Sequence, residues 1–228
     1  IVNQERKSSM PDDLAPPSVR MPILGEPAPA FTARTTMGER SLAGYRGRWL
    51  VFFSHPADFT PVCTSEFIAM ARAYDRFQAL DCDLLALSVD SLFSHLAWVS
   101  SIRDRFGVSI PFPIVEDPSM VVARAYGMLP AGAASSATVR ANFVIDPTGI
   151  IRALNWYPMT TGRSVEEILR LVAALRFTDA ENVLTPADWQ PGEAAIAPTP
   201  VTIKDAEQQL EGRGVVDWYY RLVEREHD

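Results

Sequence analysis

Cysteine is scarce in this chain: its 228 residues hold two, Cys63 and Cys82. That excludes a disulfide-stapled secreted scaffold, and the two lack the paired spacing of a zinc site. Histidine is scarcer than most polar residues, with only His55, His95 and His227. No second histidine or carboxylate cluster stands beside His55 in sequence, so no metal site is expected. Apolar runs stay far below the roughly 20 residues that span a bilayer, and stretch 1–20 is polar with no signal-peptide core. Those absences predict a cytoplasmic protein with no membrane partner. Positive charge is in deficit, with a net charge of −7 and a pI near 5.0, which argues against a nucleic-acid partner. There is no glycine-rich phosphate loop, internal repeat or low-complexity tract.

What remains is a globular composition, 47% hydrophobic and 21% charged, long enough to bury a core without staples. Residues 1–22 read as a flexible tail rich in proline and charge, residues 23–178 as one α/β domain, and residues 179–228 as a small extension. The runs Trp49 to Phe53 and Leu84 to Val89 are short, continuous and apolar, the pattern of strands buried on both faces. Between them, Phe67, Met70, Ala71, Tyr74 and Phe77 recur at helical spacing, which predicts one helix over 64–80. A strand, helix and strand in that order favour a parallel pairing. Another helix is expected over 93–106, stopped by Gly107, and a short extended segment over 111–115. Residues 138–145 and 150–156, joined by Asp146-Pro147-Thr148-Gly149, predict an antiparallel hairpin. Ser164 followed by Glu167 predicts a capped helix start. The extension carries Trp218, Tyr219 and Tyr220, and its apolar residues need a partner surface.

The chemistry centres on Cys63, in Phe53-Ser54-His55-Pro56-Ala57-Asp58-Phe59-Thr60-Pro61-Val62-Cys63-Thr64-Ser65-Glu66. An apolar strand ends there, a proline-rich turn follows and a helix begins. A thiolate at a helix start faces unpaired N–H groups and the positive end of the helix dipole, an environment that favours a nucleophile. The Thr60 hydroxyl can lie over the sulfur, Pro56 can wall off one side without an N–H, and the backbone N–H groups of Val62 and Cys63 can face a bound oxygen. Arg140, a charged residue in an apolar strand, is the candidate to complete the charge stabilisation. The residues alone leave open whether it serves the sulfur or pairs with a surface carboxylate at a sheet edge.

The run from proline through threonine to cysteine, Pro56 to Cys63, resembles the peroxiredoxin pattern. Ser54-His55-Pro56, His95-Leu96-Ala97-Trp98, Pro111-Phe112-Pro113-Ile114 and Thr160-Thr161-Gly162-Arg163 are similar to the 1-Cys subfamily across residues 23–192. The resemblance implies a thioredoxin-like three-layer α/β sandwich with a central mixed sheet, plus a small C-terminal extension. It implies reduction of hydrogen peroxide and organic hydroperoxides through a Cys63 sulfenic acid, without a cofactor. Thr60 and Pro56 would form the pocket, and Arg140 would stabilise thiolate and peroxide. Glu66 would orient the arginines, with His55 and Arg163 nearby. A homodimer or a larger ring is implied as well.

Cys82, at the entrance of a strand, reads as a buried structural residue. The C-terminal cysteines of many prokaryotic relatives are absent from Val215 to Arg221, so an external thiol or other reductant is expected to recycle Cys63. Arg48 stands where a serine supports phospholipase activity in some animal members, so no such activity is expected. A dithiol oxidoreductase is disfavoured because Ser65-Glu66 occupies the place of its second cysteine. The competing class is a peroxide sensor or holdase that uses the same sulfur without turnover. Trp49 is the expected fluorescence reporter of the pocket.

Overall fold

The computed structural model describes residues 21–129, 135–211 and 213–223. The expected tail over 1–22 therefore falls almost wholly outside the described residues, as does His227. Seven strands, β1 (Thr32–Thr35), β2 (Gly38–Ser41), β3 (Trp49–Ser54), β4 (Cys82–Ser88), β5 (Ile114–Glu116), β6 (Arg140–Ile145) and β7 (Ile151–Tyr157), form one sheet in the order β2-β1-β5-β4-β3-β6-β7. The pairs β3/β4 and β4/β5 are parallel, and β6 joins β3 and β7 antiparallel, so the sheet is mixed.

Every residue of β3 is buried, because alternate side chains enter two different cores. Val51 and Phe53 meet Phe67, Met70, Phe77, Trp98 and Val172 on one face, while Leu50 and Phe52 meet Val122, Tyr126 and Phe143 on the other. Helices α1 (Pro61–Arg72), α2 (Tyr74–Ala79), α3 (Leu92–Phe106) and α5 (Val165–Glu181) supply the first face, and α4 (Val121–Ala125) with a 3-10 turn at Leu42–Tyr45 supplies the second. This is the expected three-layer sandwich. The hairpin β6/β7 and the Ser164 cap are also present, the Ser164 hydroxyl accepting from the Glu167 N–H.

Two expectations change. The single helix over 64–80 is two helices, starting earlier at Pro61 and breaking at Ala73, whose φ of −93° and ψ of 0° leave the helical region. No glycine or proline announces that break. The extension begins inside α5, which runs to Glu181 rather than stopping at 178, and then forms β8 (Ala195–Ile196), α6 (Ile203–Leu210), β9 (Val215–Asp217) and β10 (Tyr220–Val223) in a sheet of order β8-β10-β9. Trp189 stacks on Phe177 at 5.1 Å and buries the start of the extension against α5.

Candidate active site

The loop from His55 to Thr60 leaves the end of β3 and delivers the chain into α1 with Pro61 in its first turn, where the missing N–H costs nothing. Thr60 precedes it in extended conformation, and its hydroxyl makes no cap. Thr60 Oγ1 instead donates to the Ala57 carbonyl at 2.9 Å. The N–H groups of Val62 and Cys63, in the unpaired first turn, are thereby left without a capping side chain. Cys63 is fully buried, Pro56 is buried in the loop, and Val62 is partly exposed.

Arg140 opens β6 and reaches the sulfur. Its Nη1 lies 3.2 Å from Cys63 Sγ and 2.7 Å from Glu66 Oε2, while Nε and Nη2 donate to the Met159 carbonyl at 3.1 and 2.9 Å. Glu66 sits three residues after Cys63 and so on the same face of α1. Its other partner is Arg163, which donates to Oε1 from its backbone N–H (2.8 Å) and Nε (2.9 Å) and to Oε2 from Nη2 (2.8 Å). Arg163 Nη1 then binds the Ser54 and Ala141 carbonyls and Asn142 Oδ1. Burial alone would raise the Glu66 carboxyl, but the bonds and charge of Arg163, followed by Arg140, hold it below the usual range. Arg140, Arg163 and Glu66 together leave one positive charge in excess in a buried site, and a Cys63 thiolate would balance it. The sheet-edge alternative for Arg140 is therefore overturned: its carboxylate partner is buried Glu66, and β6 is interior to the sheet.

His55 is buried close by but enters a different network. Its Nε2 contacts Asp58 Oδ1 at 2.8 Å, Asp58 Oδ2 contacts His95 Nδ1 at 2.8 Å, and His95 Nε2 faces the Val115 carbonyl at 3.2 Å. The sequence shows no second histidine beside His55, yet the fold brings His95 and Asp58 to it, with candidate ligand atoms of the three within 4.8 Å of one another. The 2.8 Å contacts are hydrogen-bond lengths, and each Asp58 oxygen is held by one ring. Burial lowers the His55 pKa despite its Asp58 partner. Asp58 would be raised by burial, yet the hydrogen bonds from both histidines hold it well below the carboxylate range. The His55 ring stacks on Trp98 at 5.1 Å, and Trp98 Nε1 donates to Thr64 Oγ1 at 3.3 Å. Trp98, not Trp49, is the tryptophan at the pocket. The Asp58–His95, His95–Val115 and Asn142–Arg163 contacts join residues 37, 20 and 21 positions apart, which local sequence does not reveal.

Cys82 is fully buried at the first position of β4, paired with Trp49 in the β3/β4 register, whereas the loop to Cys63 leaves β3 after Ser54, opposite Leu87. Five strand residues span about 16 Å, and a disulfide needs Cα atoms within about 7 Å. Both cysteines are free, and Cys82 lies at the opposite end of β4 from the residue that faces the loop. Burial, reinforced by Asp83, pushes the Cys82 thiol up to about 12. No helix among the described residues is long and apolar enough to cross a membrane.

A family model described as the AhpC/TSA family matches residues 24–154, and one described as the C-terminal domain of 1-Cys peroxiredoxin matches residues 174–213. A peroxiredoxin of Aquifex aeolicus is 50% identical over 213 residues, covering 88% of this chain and 96% of its own. One from Thermoplasma volcanium is 47% identical over 201 residues, covering 88% and 98%. Among solved structures, the yeast mitochondrial 1-Cys peroxiredoxin, whose thiol is resolved via glutathione/thioredoxin systems, matches with a TM-score of 0.81 at 37% identity over 90% of this chain and 100% of its own. A mutant of peroxiredoxin 6 from Arenicola marina matches at 0.79 and 32% identity over 90% and 99%. The chain belongs to the AhpC/TSA family, as a thiol-dependent peroxidase of the 1-Cys peroxiredoxin branch.

Proposed function

We propose that Cys63 is the sulfur that reduces the peroxide and that Arg140, Thr60, Pro56 and the Val62 and Cys63 N–H groups form its pocket. The observation that carries this reading is the 3.2 Å approach of Arg140 Nη1 to Cys63 Sγ, fixed from behind by Glu66. The thiolate attacks the terminal oxygen of a hydroperoxide, forming an S–O bond as the O–O bond breaks. Sulfur is oxidised to the sulfenic acid and the leaving oxygen, reduced, departs as water or alcohol after taking a proton. The arginine and the N–H groups meet charge developing on both oxygens, the largest kind of catalytic contribution. Glu66 and Arg163 are positioning residues, and we assign His55 the same role, holding the loop that carries Pro56 and Thr60 through Asp58.

Peroxiredoxins take their reducing equivalents from thiols, and oligomers are typical of the family. For this chain we propose an external thiol that attacks the sulfenic sulfur, releasing water to give a mixed disulfide that a second thiol reduces. That both cysteines stand free, with Cys82 buried in the sheet, supports that route. We also propose a homodimer, or a ring of dimers, supported by the exposed Val201, Ile203 and Trp218 of the extension, and a cytoplasmic location, supported by two unpaired buried thiols. Stopped-flow fluorescence with sub-stoichiometric hydrogen peroxide tests the assignment. Rapid oxidation in wild type and none in Cys63→Ser is the expected result, and rapid peroxide consumption by Cys63→Ser would overturn it. A sensor without turnover is not favoured, and steady consumption of peroxide with excess thiol separates the two.

A further inference from the structure

Strand β6 carries a second polar side chain to which the reaction above gives no role. Its residues alternate between the two cores, with Ala141, Phe143 and Ile145 on one face and Val144 on the other. Arg140 and Asn142 share the Val144 face, two residues apart. Asn142 is 1% exposed, in a strand whose every residue is buried. An amide in such a place costs stability unless both its ends are paired, and only one is. Oδ1 accepts from Arg163 Nη1 at 2.9 Å, while Nδ2 has no hydrogen-bond partner among the described residues. A valine would fill this strand position without burying an unpaired donor, so packing gives no reason for the amide.

The bond to Arg163 closes a ring. Nε and Nη2 of Arg163 hold the two oxygens of Glu66. Glu66 Oε2 holds Arg140 Nη1, the atom 3.2 Å from Cys63 Sγ, and Arg140 returns to β6 two residues from Asn142. Among the described residues, Glu66 and Asn142 are the side chains that hold Arg163 by hydrogen bonds, beside the Ser54 and Ala141 carbonyls and the Phe53 ring, 5.0 Å from its Cζ. The charged and titratable groups of the ring are Arg140 from β6, Glu66 and Cys63 from α1, and Arg163 from the segment before α5. Strand β7 sets Asn155 opposite Asn142 and Tyr157 opposite Arg140, β3 sets Phe53 there, and α5 brings Ile168, Leu169 and Val172 to the same core. His55 and Asp58 of the loop are engaged with each other and with His95.

We propose that Asn142 is a positioning residue for peroxide reduction: its neutral oxygen anchors Arg163, and through Glu66 also Arg140, without cancelling the positive charge that faces Cys63. The proposal rests on Cys63 being the sulfur that reacts. An aspartate would bind Arg163 more strongly but would neutralise the single excess charge left by Arg140, Arg163 and Glu66. A valine would keep the charge and drop the anchor. Asparagine does both, at the cost of one buried donor.

The test uses the full chain and those two substitutions. Rate constants for Cys63 oxidation by hydrogen peroxide are measured by stopped-flow fluorescence across pH, with the ultraviolet absorbance of the thiolate followed in parallel. Cys82, whose thiol is pushed up to about 12, stays protonated over the neutral range. In Asn142→Asp the pH midpoints of both signals are expected to rise by about one unit, with the plateau rate within about threefold of wild type. In Asn142→Val the plateau rate is expected to fall about tenfold, with the midpoints within about 0.3 unit of wild type. A residue that served packing alone would leave both midpoints in place. A wild-type midpoint in Asn142→Asp overturns the proposal, and so does a wild-type plateau in Asn142→Val, so either variant decides should the other fail to fold. If wild-type Cys63 does not react with hydrogen peroxide, the assignment of the sulfur itself fails, and the role of Asn142 with it.

Discussion

Cys63 and Cys82 are equally buried, and almost everything else about them differs. Cys63 stands at a helix start against Arg140, inside a cluster with one uncompensated positive charge. Cys82 stands at a strand start, its sulfur directed at the Asp83 carbonyl (3.6 Å), with the Asp83 charge adding to burial in raising its thiol. Burial by itself therefore says nothing about reactivity. Cys63 has a cation 3.2 Å from its sulfur, while burial and then Asp83 hold Cys82 as the inert thiol.

The largest effect that separates the two sites comes from deleting each sulfur. Cys63→Ser should lower the peroxide rate constant by about 10⁴-fold or more, while Cys82→Ser stays within about twofold in both first oxidation and thiol-supported turnover. Loss of turnover in Cys82→Ser alone would break the comparison. Next comes the cation itself. Arg140→Lys keeps a charge but cannot contact the sulfur, Glu66 and the Met159 carbonyl together, and should cost about 10²-fold in the oxidation rate constant. The same measurement on Arg48→Lys, beside Asp83 at 3.0 Å and at the Cys82 end of the sheet, should show no comparable loss.

Much of this contrast was legible in the chain, and the limit falls at side chains that meet across long separations. The parallel β3/β4 unit, the hairpin and the Ser164 cap follow from local periodicity and turn chemistry. Helix entry near Cys63 follows from proline and threonine in the right order. Its place in an apolar strand made Arg140 a candidate for the sulfur but left a surface carboxylate open as its partner, and the peroxiredoxin resemblance pointed it at the sulfur. The His55, Asp58 and His95 network escaped because sequence neighbours do not reveal that α3 passes beneath the loop. Trp49 was chosen as reporter on proximity in sequence, yet it lies at the far end of β3, alongside Cys82.

The two regions should also lose stability at opposite ends of the pH scale. Asp58 and Glu66 titrate below their unfolded values of about 4, so the stability they contribute is complete above that value and is lost as pH falls towards their folded values. His55, whose pKa is lowered by burial, adds to the loss from about pH 6.5 downward, because the unfolded histidine takes up a proton that the folded one resists. Urea unfolding free energy should therefore decline between pH 6.5 and 5 by up to about 1.4 kcal/mol per pH unit. His55→Gln should flatten that segment and leave the decline below pH 4. An unchanged slope in the variant would move the acid sensitivity away from this network.

The smallest effect belongs to Cys82 and has the reverse sign. Its folded thiol is pushed up to about 12, against about 8.5 for the unfolded chain. A raised value means stability that is fully present below the unfolded pKa and is lost as pH rises, since the unfolded thiol gives up its proton first. From pH 8.5 to 9.5 this one group should remove about 1 kcal/mol. Cys82→Ala should abolish the alkaline decline while lowering stability at pH 7 by about 1 kcal/mol for the lost packing. Measured in a Cys63→Ser background, the slope reports Cys82 alone. A decline that persists in the Cys63→Ser, Cys82→Ala double variant would show that the inert thiol is not what makes the β4 end of the sheet sensitive to alkali.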